Sequence, residues 1–166
     1  MTSENEIIVP PEPREIIVSS EPRGRSTEGY IVGTPKPGTI VQLKAATEPI
    51  GGRFTYEVYD QAADGTAATI AILLPDKLQG KTELDAYADG DRCFLYFPAM
   101  GEEFNMLVAT SQALAIGDLL IVNDGDGLLV PTTGTPGSQP FQVLETVSAD
   151  DVEATGALTH VMYTGH

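Results

Sequence analysis

The sequence lacks tryptophan, has a single cysteine and contains no long hydrophobic run. One cysteine, Cys93, excludes an intrachain disulfide and a cysteine-based zinc site. Because Cys93 lies within an apolar run, we expect a buried structural thiol rather than a nucleophile. No segment approaches the ~18 apolar residues that a transmembrane helix requires. The first apolar run is three residues long and is followed by prolines, so no signal peptide is predicted.

Positive charge is also scarce. Nine basic residues face 24 acidic ones, which gives a formal net charge of −15. Binding to nucleic acid or to anionic lipid depends on Lys and Arg that displace counterions. The composition therefore predicts neither a nucleic-acid partner nor a membrane partner, and the acidic surface favours solubility.

Catalytic and metal-binding patterns are missing as well. The only histidines, His160 and His166, have no metal-binding spacing, and the sequence contains neither a nucleophile elbow nor a phosphate-binding loop. The Asn123–Gly127 segment lacks the terminal Glu of a calcium loop. We therefore predict no catalytic residue, no metal and no cofactor, and expect a protein that is not an enzyme.

The stretch that organises the chain is a predicted β-hairpin. Leu119–Val122 and Leu128–Val130 are apolar runs separated by a segment rich in Asn, Asp and Gly. Gly adopts positive φ without a Cβ clash, and Asn or Asp hydrogen-bonds its own backbone, so this pattern is typical of a hairpin. The residues predicted to form the turns are Gly117, Asp118, Asn123, Gly125 and Gly127.

Other short apolar segments predict further strands, with turn residues between them. Phe54–Tyr59 alternates, which predicts a half-buried strand with Phe54, Tyr56 and Val58 on one face. The remaining predicted strands are 30–32, 39–43, 69–74, 91–97, 103–109, 141–147 and 158–163. Many short strands with frequent turns and little helix predict an all-β fold, a compact barrel or sandwich with an extended N-terminal arm.

The predicted arm covers residues 1–29 and the predicted β-rich body covers residues 30–166. The arm contains a tandem nonamer, Glu6–Arg14 followed by Glu15–Arg23, with seven of nine positions identical, and residues 24–29 predict a flexible joint. Its prolines oppose helix, whereas its β-branched triplets favour an extended backbone that docks on a sheet edge or in an apolar groove of a neighbouring subunit. The residues predicted to bind a partner are Ile7, Ile8, Val9, Ile16, Ile17 and Val18.

The order of turns around the strands resembles the head decoration, or cement, proteins of tailed bacteriophages. The resemblance rests on the succession of Ile70–Leu74, Asp85–Asp91, Phe97–Glu102, Ile116–Leu120 and Gly125–Pro131. It implies a non-enzymatic virion protein, made in the host cytoplasm, that stabilises the head from outside. The implied partners are the major capsid protein and further copies of the chain in a homotrimer, with the arm lapping over neighbouring subunits.

A binding module for a small ligand or a carbohydrate is the alternative function. Sugar sites usually present exposed aromatic rings beside polar groups. This chain has no tryptophan, and most of its five phenylalanines and six tyrosines fall in strand patterns. The sequence therefore favours the capsid-binding role over the ligand-binding role, and an enzymatic role comes third.

Overall fold

The structure is a computed structural model that describes residues 14–60, 70–109, 113–132, 141–148 and 157–165. Within these ranges the regular structure consists of strands and one 3-10 turn, Lys77–Gln79. The strands are β1 Arg25–Ile31, β2 Ile40–Leu43, β3 Thr55–Val58, β4 Ile70–Leu74, β5 Arg92–Phe97, β6 Glu103–Val108, β7 Leu119–Val122, β8 Leu129–Pro131, β9 Phe141–Val143 and β10 Ala157–Tyr163.

The first five strands form a small closed barrel in the order β1-β3-β2-β4-β5. Strands β1 and β3 are parallel, and the other neighbours are antiparallel. Pairing of β5 with β1 closes the barrel, so its strands keep few free edges.

The last five strands form a second closed barrel with the same topology. The order is β6-β8-β7-β9-β10, and β10 returns to pair with β6. Again the first and third strands of the set are parallel, and the other pairs are antiparallel. The fold is therefore a tandem pair of barrels, in which β6 corresponds to β1 and each later strand to its counterpart.

Two apolar clusters stabilise the molecule. The smaller cluster fills the first barrel and includes Ile31, Val41, Leu73 and Leu95, all fully buried. The larger one combines residues of the second barrel with residues of the first, namely Ile40, Ile72, Tyr96, Phe104, Met106, Val108, Leu114, Leu120, Leu129, Phe141, Val143 and Val161, together with Ile16 of the arm. Burying a large aliphatic side chain contributes about 1.5–3 kcal/mol. The shared cluster thus joins the two barrels.

Main-chain hydrogen bonds add to this junction. The Ile40 N–H donates to the Gly127 carbonyl at 2.9 Å, and the Gly125 N–H donates to the Tyr59 carbonyl at 2.9 Å. The Leu107 N–H donates to the Gly38 carbonyl at 3.1 Å. The tip of the β7–β8 hairpin therefore rests directly on the first barrel.

The predicted all-β barrel is confirmed, and the predicted strands correspond to the ten observed. The boundary placed at residue 29 is wrong, because β1 begins at Arg25 and pairs with β5 along Arg25–Tyr30. The expected common face of the third strand is also wrong. Tyr56 is buried, but Phe54 precedes the strand and is 48% exposed.

Candidate interaction surface

The second nonamer docks on the body of its own chain. Ile17 forms an antiparallel bridge with Phe104 of β6. The Asn105 N–H donates to the Ile16 carbonyl at 2.8 Å, and the Val18 N–H donates to the Glu103 carbonyl at 2.9 Å. These residues therefore act as a short additional strand on the part of β6 that precedes its pairing with β8.

Side chains reinforce this contact at both ends. The Ser19 hydroxyl accepts a hydrogen bond from the Glu103 N–H at 2.8 Å, and the Asn105 side-chain amide donates to the Glu15 carbonyl at 2.6 Å. Each net hydrogen bond contributes on the order of 1 kcal/mol. Together they hold the segment in a single register.

Burial differs along the second triplet. Ile16 is 2% exposed and belongs to the shared core, Ile17 is half-buried, and Val18 is 39% exposed. The sequence predicts that both triplets are available to a neighbouring subunit. For Ile16 that prediction is wrong, because this side chain fills part of the core between the barrels, whereas for Ile17 and Val18 it stays a prediction. The first triplet, Ile7, Ile8 and Val9, lies outside the described residues.

Two ion pairs flank the docked segment. The Lys77 ammonium lies 2.6 Å from the Glu15 carboxylate, and both side chains are exposed. The Arg14 guanidinium lies 2.7 Å from the Glu145 carboxylate, which also accepts the His160 N–H at 2.9 Å. Burial alone would raise the pKa of Glu145, but these hydrogen bonds outweigh it and lower that pKa. Arg14 thus fixes the start of the segment on the second barrel.

A buried carboxylate anchors the end of the arm. Glu102 is 2% exposed and accepts hydrogen bonds from the Tyr96 hydroxyl and the Ala99 N–H, both at 2.6 Å, and from the Arg23 N–H at 2.9 Å. Burial opposes ionisation, yet these donors lower the pKa of Glu102. Burial and the neighbouring Glu102 raise the pKa of Tyr96 to about 12.

The step from the arm into β1 requires a glycine. The Gly24 N–H donates to the Tyr96 hydroxyl at 2.7 Å, and a Cβ at Gly24 would lie 2.2 Å from the Phe97 carbonyl oxygen. The flexible joint predicted at residues 24–29 is therefore wrong, and local pattern missed this anchor. One sequence signal could have revealed this anchor, namely an acidic residue directly after an Ala-x-Gly turn. The pattern occurs with Glu at Ala99–Glu102 and with Asp at Ala88–Asp91 and Ala115–Asp118, and each time the carboxylate accepts the N–H of the Ala.

The predicted turn residues lie at both ends of the β7–β8 hairpin. Gly117 has φ +96°, and the Asp118 carboxylate accepts the Ala115 N–H at 2.8 Å. Gly125 and Gly127 have φ +92° and +65°. The Asn123 side-chain amide donates to the Asp126 carboxylate at 2.8 Å, and that carboxylate also accepts the Leu128 N–H. The acidic side chains thus serve the turn itself.

An apolar groove of about 360 Å³ lies between the docked segment and the outside of the first barrel. Its apolar lining includes Ile16, Ile17, Leu74, Leu78 and Phe94, and Ser26 and Thr27 of β1 lie along one side. Leu78 is 79% exposed, whereas Leu74 and Phe94 are half-buried. The groove presents an apolar surface beside the first half of β1.

Among the other ionisable groups of the described ranges, Glu28 forms ion pairs with both Arg53 and Arg92. His160 Nε2 lies 2.9 Å from a Glu103 carboxylate oxygen, a two-residue contact on neighbouring strands. No group of three or more metal-binding side chains occurs among the described residues. Cys93 is fully buried, and burial raises the pKa of its thiol to about 12. In the described parts of the chain no helix is long and apolar enough to cross a membrane.

Comparison with known proteins identifies a similar fold. No protein-family model matches the sequence, and no curated protein matches it. Among solved structures, the chain is similar to the N base of the head fiber gp8.5 of bacteriophage phi29, with a TM-score of 0.50 and 12% sequence identity. The similarity covers 85% of this chain and 94% of that chain. At this identity it concerns the fold, and it extends over both barrels.

Proposed function

We propose that this chain is a non-enzymatic structural protein of a bacteriophage virion. The observation that carries the proposal is the fold similarity to a head-fiber base, which spans nearly the full length of both chains. The resemblance of its turn pattern to head decoration proteins supports the same class. The acidic surface and the two closed barrels suit an exposed, soluble structural module.

In this proposal the body binds the outer face of the major capsid lattice as a homotrimer and stabilises the head. The trimer is implied by the resemblance, since decoration proteins commonly occupy three-fold positions. The arm contributes through its first triplet, because the second triplet is docked on β6 and its Ile16 is buried in the chain's own core. Two linked contacts raise the effective concentration of each, so an arm slows dissociation of a docked body.

The test is co-sedimentation with heads of the phage that encodes the protein, prepared without it. We expect the wild-type protein to bind in stoichiometric amounts. Ile8→Asp should retain the fold but leave the heads faster after dilution, because a charge is costly in an apolar contact. Val18→Asp serves as the matched control, since Val18 is a partly exposed triplet position. Absence of wild-type protein from the pelleted heads would contradict the proposal.

A further inference from the structure

The second nonamer docks on β6. Because the two barrels have the same topology, β6 has a counterpart in the first barrel, β1. In the second barrel the Ala109 N–H donates to the Leu129 carbonyl, where β6 meets β8. In the first barrel the Val32 N–H donates to the Tyr56 carbonyl, where β1 meets β3. Counting back from these equivalent bonds places Ser26, Thr27 and Glu28 where the second barrel has Glu103, Phe104 and Asn105.

The two equivalent edges differ in their occupants. On β6, Glu103 and Asn105 are bonded to the second nonamer. On β1, the Ile31 N–H points to β5 and the Tyr30 N–H points to β3. By alternation, the N–H groups of Ser26 and Glu28 also point away from β5, and within the described part of the chain neither has a main-chain partner. The first half of β1 is thus an open counterpart of the occupied β6 edge.

The apolar groove lies beside this open edge. Ser26 and Thr27 border the groove, and the half-buried side chains of Leu74 and Phe94 are directly paired across β4 and β5. A strand added to β1 would therefore gain main-chain hydrogen bonds on one side and an apolar contact on the other, which is the combination used in β-strand addition.

The chain itself carries a matching segment. The Glu-Ile-Ile-Val sequence at Glu15–Val18, which makes the β6 contacts, is repeated without change at Glu6–Val9. We propose that Glu6–Val9 of one copy adds an antiparallel strand to the free β1 edge of a second copy. Each nonamer then serves one barrel, the second within its own chain and the first between chains.

The spacer between the nonamers favours a second copy over the same chain. Arg14 is fixed on Glu145, and the next residues, Glu15 to Ile17, already line the groove. To reach that groove in its own chain, Ile8 would have to reverse direction within a spacer that contains Pro10, Pro11 and Pro13. Proline-rich spacers are stiff and extended, about 3.1 Å per residue, and this composition opposes such a reversal.

The register of Glu6–Val9 on β1 can be inferred from the register of the second nonamer on β6. The bridge of Ile17 with Phe104 corresponds to Ile8 opposite Thr27. The Glu28 N–H would then donate to the Ile7 carbonyl, as the Asn105 N–H does to Ile16. In this register Ile7 would lie on the same face as Phe94 and would enter the groove. The contact rests on the self-association proposed above and is independent of capsid binding.

The test is disulfide trapping between two single variants, Ile8→Cys and Thr27→Cys, mixed and oxidised. Opposed antiparallel positions have Cβ atoms ~4.5–5.5 Å apart, which suits a disulfide. The native Cys93 does not compete, because it is buried. We expect an interchain product containing one copy of each variant, at several times the yield obtained when Ile8→Cys is mixed with Leu43→Cys, an exposed control position.

A mass measurement in solution separates the outcomes. Oligomers of wild-type protein that dissociate in the Ile8→Asp variant, together with the Ile8–Thr27 product, support the contact. Oligomers without excess of that product over the Leu43 control overturn the contact and leave self-association standing. A strictly monomeric protein, on heads and in solution, overturns both. An Ile8→Cys/Thr27→Cys double variant can form the disulfide within one chain or between two chains. If the disulfide forms only within one chain, the proposed contact between copies is wrong.

Discussion

At the scale of single residues, two glycines of one turn allow the free-energy cost of backbone strain to be measured apart from the cost of a packing collision. Gly125 and Gly127 both have positive φ, but a Cβ at Gly125 meets no atom within 4 Å, whereas one at Gly127 would lie 2.2 Å from the Ile40 carbonyl oxygen. A non-glycine residue in the left-handed region costs about 1–2 kcal/mol per residue. Only Gly127 adds a collision with the other barrel.

We therefore predict that Gly125→Ala lowers the free energy of unfolding by about 1–2 kcal/mol. Gly127→Ala should lower it by more, because the hairpin must also move away from Ile40. Urea unfolding of both variants checks this. Equal losses would show that the hairpin tip does not bear on the first barrel.

Glu102 makes stability depend on pH. Its pKa is lower in the folded protein than the ordinary value of 4.5. A carboxyl with a depressed folded pKa contributes stability above its unfolded pKa, and this contribution is lost as pH falls through the folded value. We predict that the wild type loses stability from about pH 5 downward. Glu102→Gln should be less stable at pH 7 and show a flatter acid limb.

Urea unfolding at pH 7, 5, 4 and 3 measures this difference. Glu21→Gln provides a control, since Glu21 is an exposed carboxylate of the same arm. Parallel pH profiles for Glu102→Gln and the wild type would contradict the assignment of Glu102 as an ionised anchor.

At the scale of elements, the strands could be predicted from local pattern, whereas their pairing could not. Alternation and turn residues are local signals, and they marked all ten strands of the described ranges, although β1 only by its last two residues. The topology shared by β1–β5 and β6–β10 depends on long-range pairing. We found no sequence motif common to the two halves that predicts it. Residues 25–29 are polar and contain Gly29, so local pattern predicts a joint. Pairing with β5 overrides that preference.

The arm shows the same division between local and tertiary information. Its extended conformation was predictable from Pro and β-branched residues, and the structure shows the second triplet extended on β6. Which triplet docks on β6 was not predictable, since the two triplets are identical in sequence. The two nonamers differ only where Ser19 and Ser20 stand in place of Pro10 and Pro11, and the Ser19 hydroxyl accepts a hydrogen bond from the Glu103 N–H.

Truncation of the second triplet should reflect burial. Ile16→Ala is expected to cost about 2–5 kcal/mol, the range for buried aliphatic side chains, because Ile16 lies in the shared core. Val18→Ala, at a partly exposed position of the same triplet, should stay within about 0.5 kcal/mol of wild type. Urea unfolding measures both. A similar loss in the two variants would mean that the segment does not dock as described.

At the scale of the whole molecule, three features combine. Two barrels of one topology share a core, Ile16 of the second nonamer belongs to that core, and we propose that the first triplet binds a partner. Under this proposal the arm supplies a contact between subunits and the body supplies rigidity. The proposed virion role rests on the fold similarity to a phage head-fiber base.

Electron cryo-microscopy of heads with and without the protein tests the proposed virion role most directly. We predict added density on the outer face of the capsid, at three-fold positions, in which the two barrels of each copy can be fitted. We also predict a connecting strand beside β1 of the neighbouring copy. Heads whose maps are identical with and without saturating protein would contradict the proposed role.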